Sequence, residues 1–146
     1  GGLIWRTPLS GLSAGAGLLH MGPSLKFENE ADPLPATTRA GLAYRLDLND
    51  LPWKTDRTFA FSKLLITSDF SKTKLSENVV SSGIEIGMDL DKNQSVALRT
   101  GLRYGEDWSR FSLGLGVREG RFMIDYALAL SRTIRNTHHF SLSLLF

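Results

Sequence analysis

The stretch FMIDYALAL at residues 122–130 alternates between two kinds of side chain. Its even positions carry only large apolar residues: Phe122, Ile124, Tyr126, Leu128 and Leu130. Its odd positions carry Met123, Asp125, Ala127 and Ala129. A period of two is typical of a β-strand whose two faces meet different surroundings. The stretch therefore predicts a strand with one apolar face and one small or polar face.

The same alternation recurs along the whole chain. Strong matches lie at residues 84–90, 96–104, 111–117 and 140–146, and weaker ones at 2–6, 12–19, 37–46 and 59–68. Lys63 interrupts the apolar set of the 59–68 stretch and leaves its register ambiguous. No convincing amphipathic helix occurs between them. The sequence thus predicts an all-β, antiparallel fold with eight or nine strands.

The Glu119-Gly120 pair predicts a tight hairpin, since glycine adopts the positive φ that two-residue turns require. This turn sets Val117 opposite Phe122, so the apolar sets of the two strands fall on one face. A register shifted by one residue would have mixed the two faces.

The composition of the chain excludes several classes of protein and of functional site. The 146 residues suit a single domain, residues 1–146, and a hydrophobic content of 42% is too high for a disordered chain. The 17 Lys and Arg nearly balance the 15 Asp and Glu and form no basic stripe, so a nucleic-acid partner is not predicted. The chain has no cysteine, which excludes a disulfide scaffold and a cysteine-based metal site.

Two folds share such alternation, a transmembrane β-barrel and a soluble sandwich or lipocalin-like barrel. The second set of side chains here is dominated by Gly, Ala and Ser with isolated charges, which suits a barrel interior better than a solvated sandwich face. Aromatic residues cluster near predicted strand ends, as in interfacial girdles. They are Tyr104, Trp108, Phe111, Phe122, Phe140 and Phe146. These features favour the transmembrane barrel and leave the soluble β-fold as the alternative.

Eight short segments carry a family resemblance across nearly the whole chain. They are GAGLLHMGPSLKF (15–27), ADPLP (31–35), RAGLAY (39–44), GIEI (83–86), LRTGLRY (98–104), LGLGV (113–117), IDYA (124–127) and THHFSLSL (137–144). In this order they resemble the PorV/PorQ group of outer-membrane proteins, which is related to the FadL fatty-acid channels and associated with type IX secretion. His20 stands where the family usually has Asn, and His138-His139 where it has His-Arg.

The resemblance implies a barrel of about 14 strands in a bacterial outer membrane, with this chain as its C-terminal eight or nine strands. The closing Phe146 also looks like the C-terminal assembly signal of such barrels. The implied function is non-enzymatic, as a partner or shuttle in type IX-like secretion or surface attachment. The alternatives are a FadL-like channel for small hydrophobic solutes and a structural barrel subunit of a larger envelope complex.

The resemblance also implies partners. These are membrane lipids, other envelope or secretion-complex proteins, and a lipid or other hydrophobic ligand in the barrel lumen. No cofactor is predicted. Two prolines, Pro33 and Pro35, lie in the longest predicted connection, residues 22–35, and are the best candidates for a partner-binding surface.

Predicted topology follows from a periplasmic C-terminus. It places the connections at residues 22–35, 68–78, 105–109 and 131–136 outside the cell. The connections at 47–57, 91–94 and 119–120 then face the periplasm. The longest connection is thus outside and the tightest turn inside, as in known outer-membrane barrels.

Charged residues of two adjacent predicted strands point to one face, the presumed lumen. A turn centred near Lys92 sets Glu85 opposite Arg99, whereas a shifted register pairs Asp89 with Arg99 and Glu85 with Arg103. Either register pairs opposite charges. The set is therefore interpreted as a structural ion-pair ladder, with a solute-lining role as the alternative.

Asp125 also faces the presumed lumen, where it could lie near His139 and Ser141 on the last two strands. Nothing in their spacing demonstrates the nucleophile–base–orienter geometry that Ser-His-Asp catalysis needs. His138 and His139 are adjacent on a strand and point to opposite faces, so they do not form a chelating pair. The sequence therefore predicts no catalytic and no metal-binding residue.

Overall fold

The computed structural model describes residues 1–20, 22, 25–27, 30–32, 36–48, 61–74, 77–105, 109–131 and 135–145. This part of the chain is all-β. Its strands are β1 (Gly2–Arg6), β2 (Leu12–Leu19), β3 (Leu25–Phe27), β4 (Glu30–Asp32), β5 (Thr37–Asp47), β6 (Phe61–Thr73), β7 (Asn78–Asp91), β8 (Gln94–Tyr104), β9 (Ser109–Glu119), β10 (Phe122–Ser131) and β11 (Thr137–Leu144).

Nine of the strands form one sheet in the order β1-β2-β5-β6-β7-β8-β9-β10-β11. Every neighbouring pair is antiparallel, so the sheet is a meander in chain order. Strands β1 and β11 are its two edges, and within the described residues the sheet is not closed. Strands β3 and β4 pair separately as a short two-stranded sheet.

The sheet has one apolar face. Directly opposed residues on seven consecutive strands form an unbroken row of large apolar side chains there, called the apolar row below: Leu46, Leu64, Ile86, Leu98, Leu115, Tyr126 and Phe140. The row depends on register, because each strand contributes only one of its alternating sets. The face that carries it is called the apolar face.

The opposite face, called the polar face, carries the small and charged set. The matching row reads Arg45, Leu65, Glu85, Arg99, Gly114, Ala127 and His139. Apart from Leu65, this row holds only small, polar or charged side chains.

No hydrophobic side chain of the described residues is buried. On the apolar row, Leu98 is 49% exposed and Phe140 is 71% exposed. The two buried side chains are polar ones, Thr37 and Ser62. The described sheet therefore has no hydrophobic core of its own on either face.

All nine strands predicted from period two occur in the large sheet, but some ends differ. Strand β6 continues to Thr73 and β7 begins at Asn78, so the connection predicted at residues 68–78 is reduced to 74–77. The connection at 22–35 contains β3 and β4, which were not predicted. Three-residue strands are too short for alternation to be visible.

The register predicted for the β9–β10 hairpin was wrong by two residues. Val117 lies opposite Ile124 and Glu119 opposite Phe122, so the two turn residues are Gly120 and Arg121. Gly120 has a φ of 57°. A positive φ at the first turn residue alone is the pattern of a type II′ turn, which takes glycine there. A shift of two keeps each residue on its face, so the predicted match of the apolar sets is retained.

Aromatic positions agree only in part with the predicted girdles. Tyr104 ends β8 and Phe122 begins β10, but Phe140 lies in the middle of β11, not near its end. Trp108, Phe146, Pro33 and Pro35 lie outside the described residues. The described residues include no helix with the length and apolar character needed to cross a membrane.

Candidate functional site

Arg99 lies at the centre of the polar face on β8, between two carboxylates. Its Nε donates a hydrogen bond to Glu85 Oε2 at 2.6 Å. Its Nη1 donates to Asp125 Oδ1. Glu85 lies directly opposite Arg99 on β7, whereas Asp125 lies two strands away on β10. The Arg99 guanidinium therefore connects β7, β8 and β10, and it passes over β9, which lies between β8 and β10.

Two glycines of β9 make this reach possible, and they are called the glycine floor below. Gly114 lies opposite Arg99 and Gly116 lies opposite Asp125. A Cβ atom at Gly116 would lie 2.7 Å from Asp125 Oδ1 and 3.0 Å from Arg99 Nη1. At Gly114 it would lie 3.3 Å from Arg99 Cβ. The Arg99 side chain thus lies flat on backbone that carries no side chain.

The observed register confirms one of the two alternatives left by the sequence. Glu85 faces Arg99, and the shifted pairing of Asp89 with Arg99 is wrong. A bulge between Asp89 and Asp91 takes up one residue next to the turn. The backbone N–H of Lys92 donates to Asp91 Oδ1 at 2.7 Å and so helps to fix the turn at this position.

Asp89 pairs instead with Lys63, whose Nζ lies 3.5 Å from Asp89 Oδ2. Lys63 lies opposite Gly87 in the regular polar-face set of β6, and the bulge between Phe61 and Lys63 places Phe61 on the apolar face, opposite Met88. The buried Ser62 hydroxyl at the bulge donates to the Gly87 carbonyl. The bulge explains why Lys63 interrupts the apolar set in the sequence. Both charged side chains are about half exposed, so the pair contributes little stability.

The Arg99 cluster is better shielded from water. The side chains of Arg99 and Asp125 are 41% and 23% exposed. Both contacts are charge-assisted hydrogen bonds, the stronger class in proteins. Because two carboxylates engage the guanidinium, the cluster fixes β7, β8 and β10 relative to one another. This geometry fits the structural ion-pair ladder expected from the sequence.

All five charges predicted to share a face do lie on the polar face. Glu85, Arg99 and Asp125 come together, and Asp89 lies with Lys63. Arg103 is separate, opposite Ser81 on β7 and Arg110 on β9. The connection from Arg99 to Asp125 was missed, because sequence reasoning considered only directly adjacent strands. The sequence signal for this connection was the pair Gly114 and Gly116, which leaves space over β9 for a long side chain from the neighbouring strand.

The three residues weighed for catalysis are only partly brought together. Asp125 is directly opposite Ser141, while His139 is opposite Ala127. Among the described residues no hydrogen bond joins any two of these three, and Asp125 is held by Arg99. The described part of the chain also contains no group of three or more His, Asp or Glu placed to hold a metal ion.

One polar pair lies on the apolar face and was not predicted. The Tyr126 hydroxyl and His138 Nδ1 are 2.7 Å apart, with ring centroids 6.1 Å apart. His138 is opposite Leu128, one position along the face from Tyr126. The contact is therefore diagonal across the two strands. To predict it, one would need the register between β10 and β11, which alternation alone does not determine.

Comparisons with known protein families, with curated proteins and with solved structures found no match to this chain. The resemblance to the PorV/PorQ group therefore stays a prediction.

Proposed function

We propose that this chain forms the C-terminal strands of a bacterial outer-membrane β-barrel, with its apolar face toward lipid and its polar face toward the interior. The apolar row is the single observation that carries the proposal. It crosses seven strands without a charged residue, on a sheet without a buried hydrophobic side chain among the described residues. The interior of a bilayer is the surrounding that such a face fits.

Energetics favour a covered apolar face. Exposure of apolar surface to water costs roughly 25 cal/mol per Å², and the row includes Leu98, Leu115 and Phe140. A soluble sandwich would cover this face with a second sheet, but the described residues place all long strands in one sheet. Lipid chains would cover it without any further protein layer.

Strand length agrees with the same proposal. Strands β5, β8 and β9 have 11 residues each and β10 has 10. A tilted transmembrane strand needs about 9–11 residues to cross the hydrocarbon layer. Strands β6 and β7 are longer, with 13 and 14 residues, whereas β2 and β11 have 8 and β1 has 5. Together the nine strands of the meander would supply most of a barrel of about 14 strands, and the two sheet edges would pair with further strands.

The finer role that we propose is a non-enzymatic partner or shuttle in type IX-like protein secretion or surface attachment. The eight segments resembling the PorV/PorQ group support it. A non-enzymatic role is also supported by Asp125, whose carboxylate is engaged by Arg99 and is not free to orient a histidine. The FadL-like channel and the structural barrel subunit are the alternatives.

The barrel proposal is tested on the native protein isolated from outer-membrane fractions. Its intact mass is expected near twice the 16.1 kDa of this chain, and its gel migration is expected to shift on heating. A native mass equal to this chain alone, without a heat shift, would instead establish a small soluble β-fold.

The finer role is tested by determining the structure of the native complex extracted in mild detergent. An ordered protein chain on the barrel rim supports the secretion role. A lipid or detergent tail within the barrel, next to a lateral gap, supports the FadL-like channel. A barrel fixed among other envelope proteins, with neither feature, supports the structural subunit.

A further inference from the structure

A polar cavity lies on the polar face where the β7–β8 and β9–β10 hairpins turn. Its volume is about 360 Å³, near the lower end of the range of about 300–1,000 Å³ that small-molecule sites occupy. Among the described residues, three basic and two acidic side chains line it: Lys63, Lys92, Arg118, Asp89 and Asp91. Asn93, Gln94, Ser95 and Gly120 complete the lining. The cavity therefore suits a small ligand that carries charged groups.

Two opposite charges face each other across this cavity. Asp89 of β7 and Arg118 of β9 both lie directly opposite Ser95 of β8. Because adjacent strands are about 4.8 Å apart, the Cα atoms of the two charged residues are about 10 Å apart. No salt bridge joins them in the described part of the chain, and Arg118 Nε donates instead to the Gly120 carbonyl at 3.3 Å. A gap over the small Ser95 side chain thus separates the two charges.

The Arg99 cluster shows the opposite arrangement on the same face. There too a basic and an acidic residue lie two strands apart, but Arg99 crosses the glycine floor and contacts Asp125 directly. No cavity is needed between charges that already meet. At Asp89 and Arg118 the same spacing of charges is left unbridged, and the cavity occupies the space between them.

The charged groups around the cavity retain binding capacity. Asp89 and Lys63 are paired at 3.5 Å with both side chains about half exposed, which is a weak contact. Asp91 uses one oxygen to accept the backbone N–H of Lys92. Within the described ranges, Asp89 Oδ1, Asp91 Oδ2 and the terminal nitrogens of Arg118 make no hydrogen bond or ion pair. Donors and acceptors of both signs therefore remain available to a ligand.

We propose that this cavity binds a small zwitterion of the amino-acid type, which carries an ammonium and a carboxylate group close together. Arg118 is placed to hold the carboxylate through its terminal N–H groups, and Asp89 and Asp91 to accept hydrogen bonds from the ammonium. A ligand with a single charge would meet like charge on one side of the cavity, whereas a zwitterion meets opposite charge on both. Because the basic residues outnumber the acidic ones, an acidic amino acid complements the cavity best.

The probe is L-glutamate, titrated into the full-length protein in an uncharged detergent at constant ionic strength and followed by calorimetry. Glutarate differs from it only by lacking the ammonium group and is expected to bind about tenfold more weakly. Arg118→Gln is expected to raise the Kd of glutamate about tenfold, through loss of a charge-assisted contact. Arg110→Gln is the matched control and is expected to bind glutamate as the wild type does. Arg110 lies on the same strand and face, but at the other end of β9 and outside the cavity.

Asp89→Asn tests the ammonium contact separately. It is expected to weaken the binding of glutamate but not that of glutarate, so that the preference for glutamate falls. A merely misfolded variant would lose both ligands, and an unchanged circular dichroism spectrum shows that each variant is folded. A preference for glutamate that is the same in Asp89→Asn and in the wild type would remove Asp89 from the site.

Four results would overturn the zwitterion site. They are no glutamate binding by the wild-type protein, binding of glutarate as tight as that of glutamate, unchanged glutamate binding in Arg118→Gln, and an equal loss in the Arg110→Gln control. Equal binding of glutarate would mean that the cavity recognises only negative charge.

The placement of the cavity at the periplasmic mouth of a barrel rests on the proposed function, whereas the site itself rests on the register and the cavity. The two proposals therefore fail in different ways. A protein that shifts on heating but does not bind glutamate keeps the barrel and loses the site. A protein that is not membrane-embedded but binds glutamate through Arg118 keeps the site and loses the barrel.

Discussion

The two faces of the sheet are built from the same strands but hold together by different means. On the apolar face, large side chains such as Leu98 and Leu115 pair across strands and remain substantially exposed. On the polar face, charged side chains form ion pairs, and one of them, Arg99, lies over glycine and reaches Asp125 across an intervening strand. The first face depends on what surrounds the protein, and the second on contacts within it.

This difference predicts where substitutions act. Apart from the contact between Tyr126 and His138, a change on the apolar face mainly alters the free energy of transfer into lipid. A change on the polar face alters specific contacts whose geometry depends on the glycine floor.

The largest effect is expected for a charge placed in the centre of the apolar row. Leu98→Arg should lower the free energy of unfolding from lipid vesicles by about 2–4 kcal/mol, the cost of an arginine at the bilayer midplane. Ala127→Lys on the polar face is the control and should change it far less, since Ala127 lies between Gly114 and His139. Equal costs at both sites, measured by denaturant titration, would remove the distinction between the faces.

A smaller effect is expected when the central guanidinium is removed. Arg99→Gln leaves Glu85 and Asp125 without their partner and should cost about 1–2 kcal/mol, limited by the partial exposure of the pair. Arg45→Gln, in the same row but opposite Leu65, should be nearly neutral. Denaturant titration of both variants checks this. An equal loss of stability in Arg45→Gln would argue against a specific stabilising role for the Arg99 cluster.

The glycine floor provides a finer test within one row. Gly116→Ala would place Cβ within 2.7 Å of Asp125 Oδ1 and should destabilise the protein by about 1 kcal/mol. Gly87→Ala, with its nearest atom at 3.6 Å, should be neutral or slightly stabilising, because alanine costs less backbone entropy than glycine. The reverse order of the two melting temperatures would show that Arg99 does not lie over Gly116.

The smallest effect is expected for the polar pair on the apolar face. Tyr126→Phe removes the hydroxyl that contacts His138 and should cost about 0.5–1 kcal/mol. Tyr44→Phe is the control, because no hydrogen bond of the Tyr44 hydroxyl exists within the described residues. If the free energy of unfolding in lipid changes equally in both variants, the contact to His138 contributes nothing to stability.

Much of the fold was predictable because period two is a local property of the sequence. All nine strands of the large sheet were predicted, and so was the separation of side chains between two faces for the strongly alternating strands, whereas the register of the 59–68 stretch stayed ambiguous. Register was harder. It depends on bulges, such as the one between Phe61 and Lys63, and on which residue of a turn takes the positive φ, as Gly120 does. In the alternation the bulge appears only as the interruption at Lys63, which leaves the register ambiguous, and the turn conformation does not appear at all.

The candidate site was predictable only for directly adjacent strands. The pairing of Glu85 with Arg99 followed from a turn near Lys92, although a second register stayed open. The reach of Arg99 to Asp125 depends on the absence of side chains at Gly114 and Gly116, which sequence reasoning interpreted only as small interior residues. Placement of this ion pair across β9 requires the registers of two strand pairs at once, β8–β9 and β9–β10.

The central claim is that the two faces of the sheet meet different solvents. These 146 residues contain no cysteine. Once any cysteine elsewhere in the full-length protein is replaced by serine, single cysteines at neighbouring positions 97 and 98 of β8 can carry one fluorescent label each. In the full-length protein in lipid vesicles, the label on Leu98→Cys is expected to be quenched by brominated lipid chains. The label on Ala97→Cys is expected to be quenched by a water-soluble quencher instead. Equal quenching of both labels by the water-soluble quencher, with none by lipid, would contradict a membrane-spanning barrel.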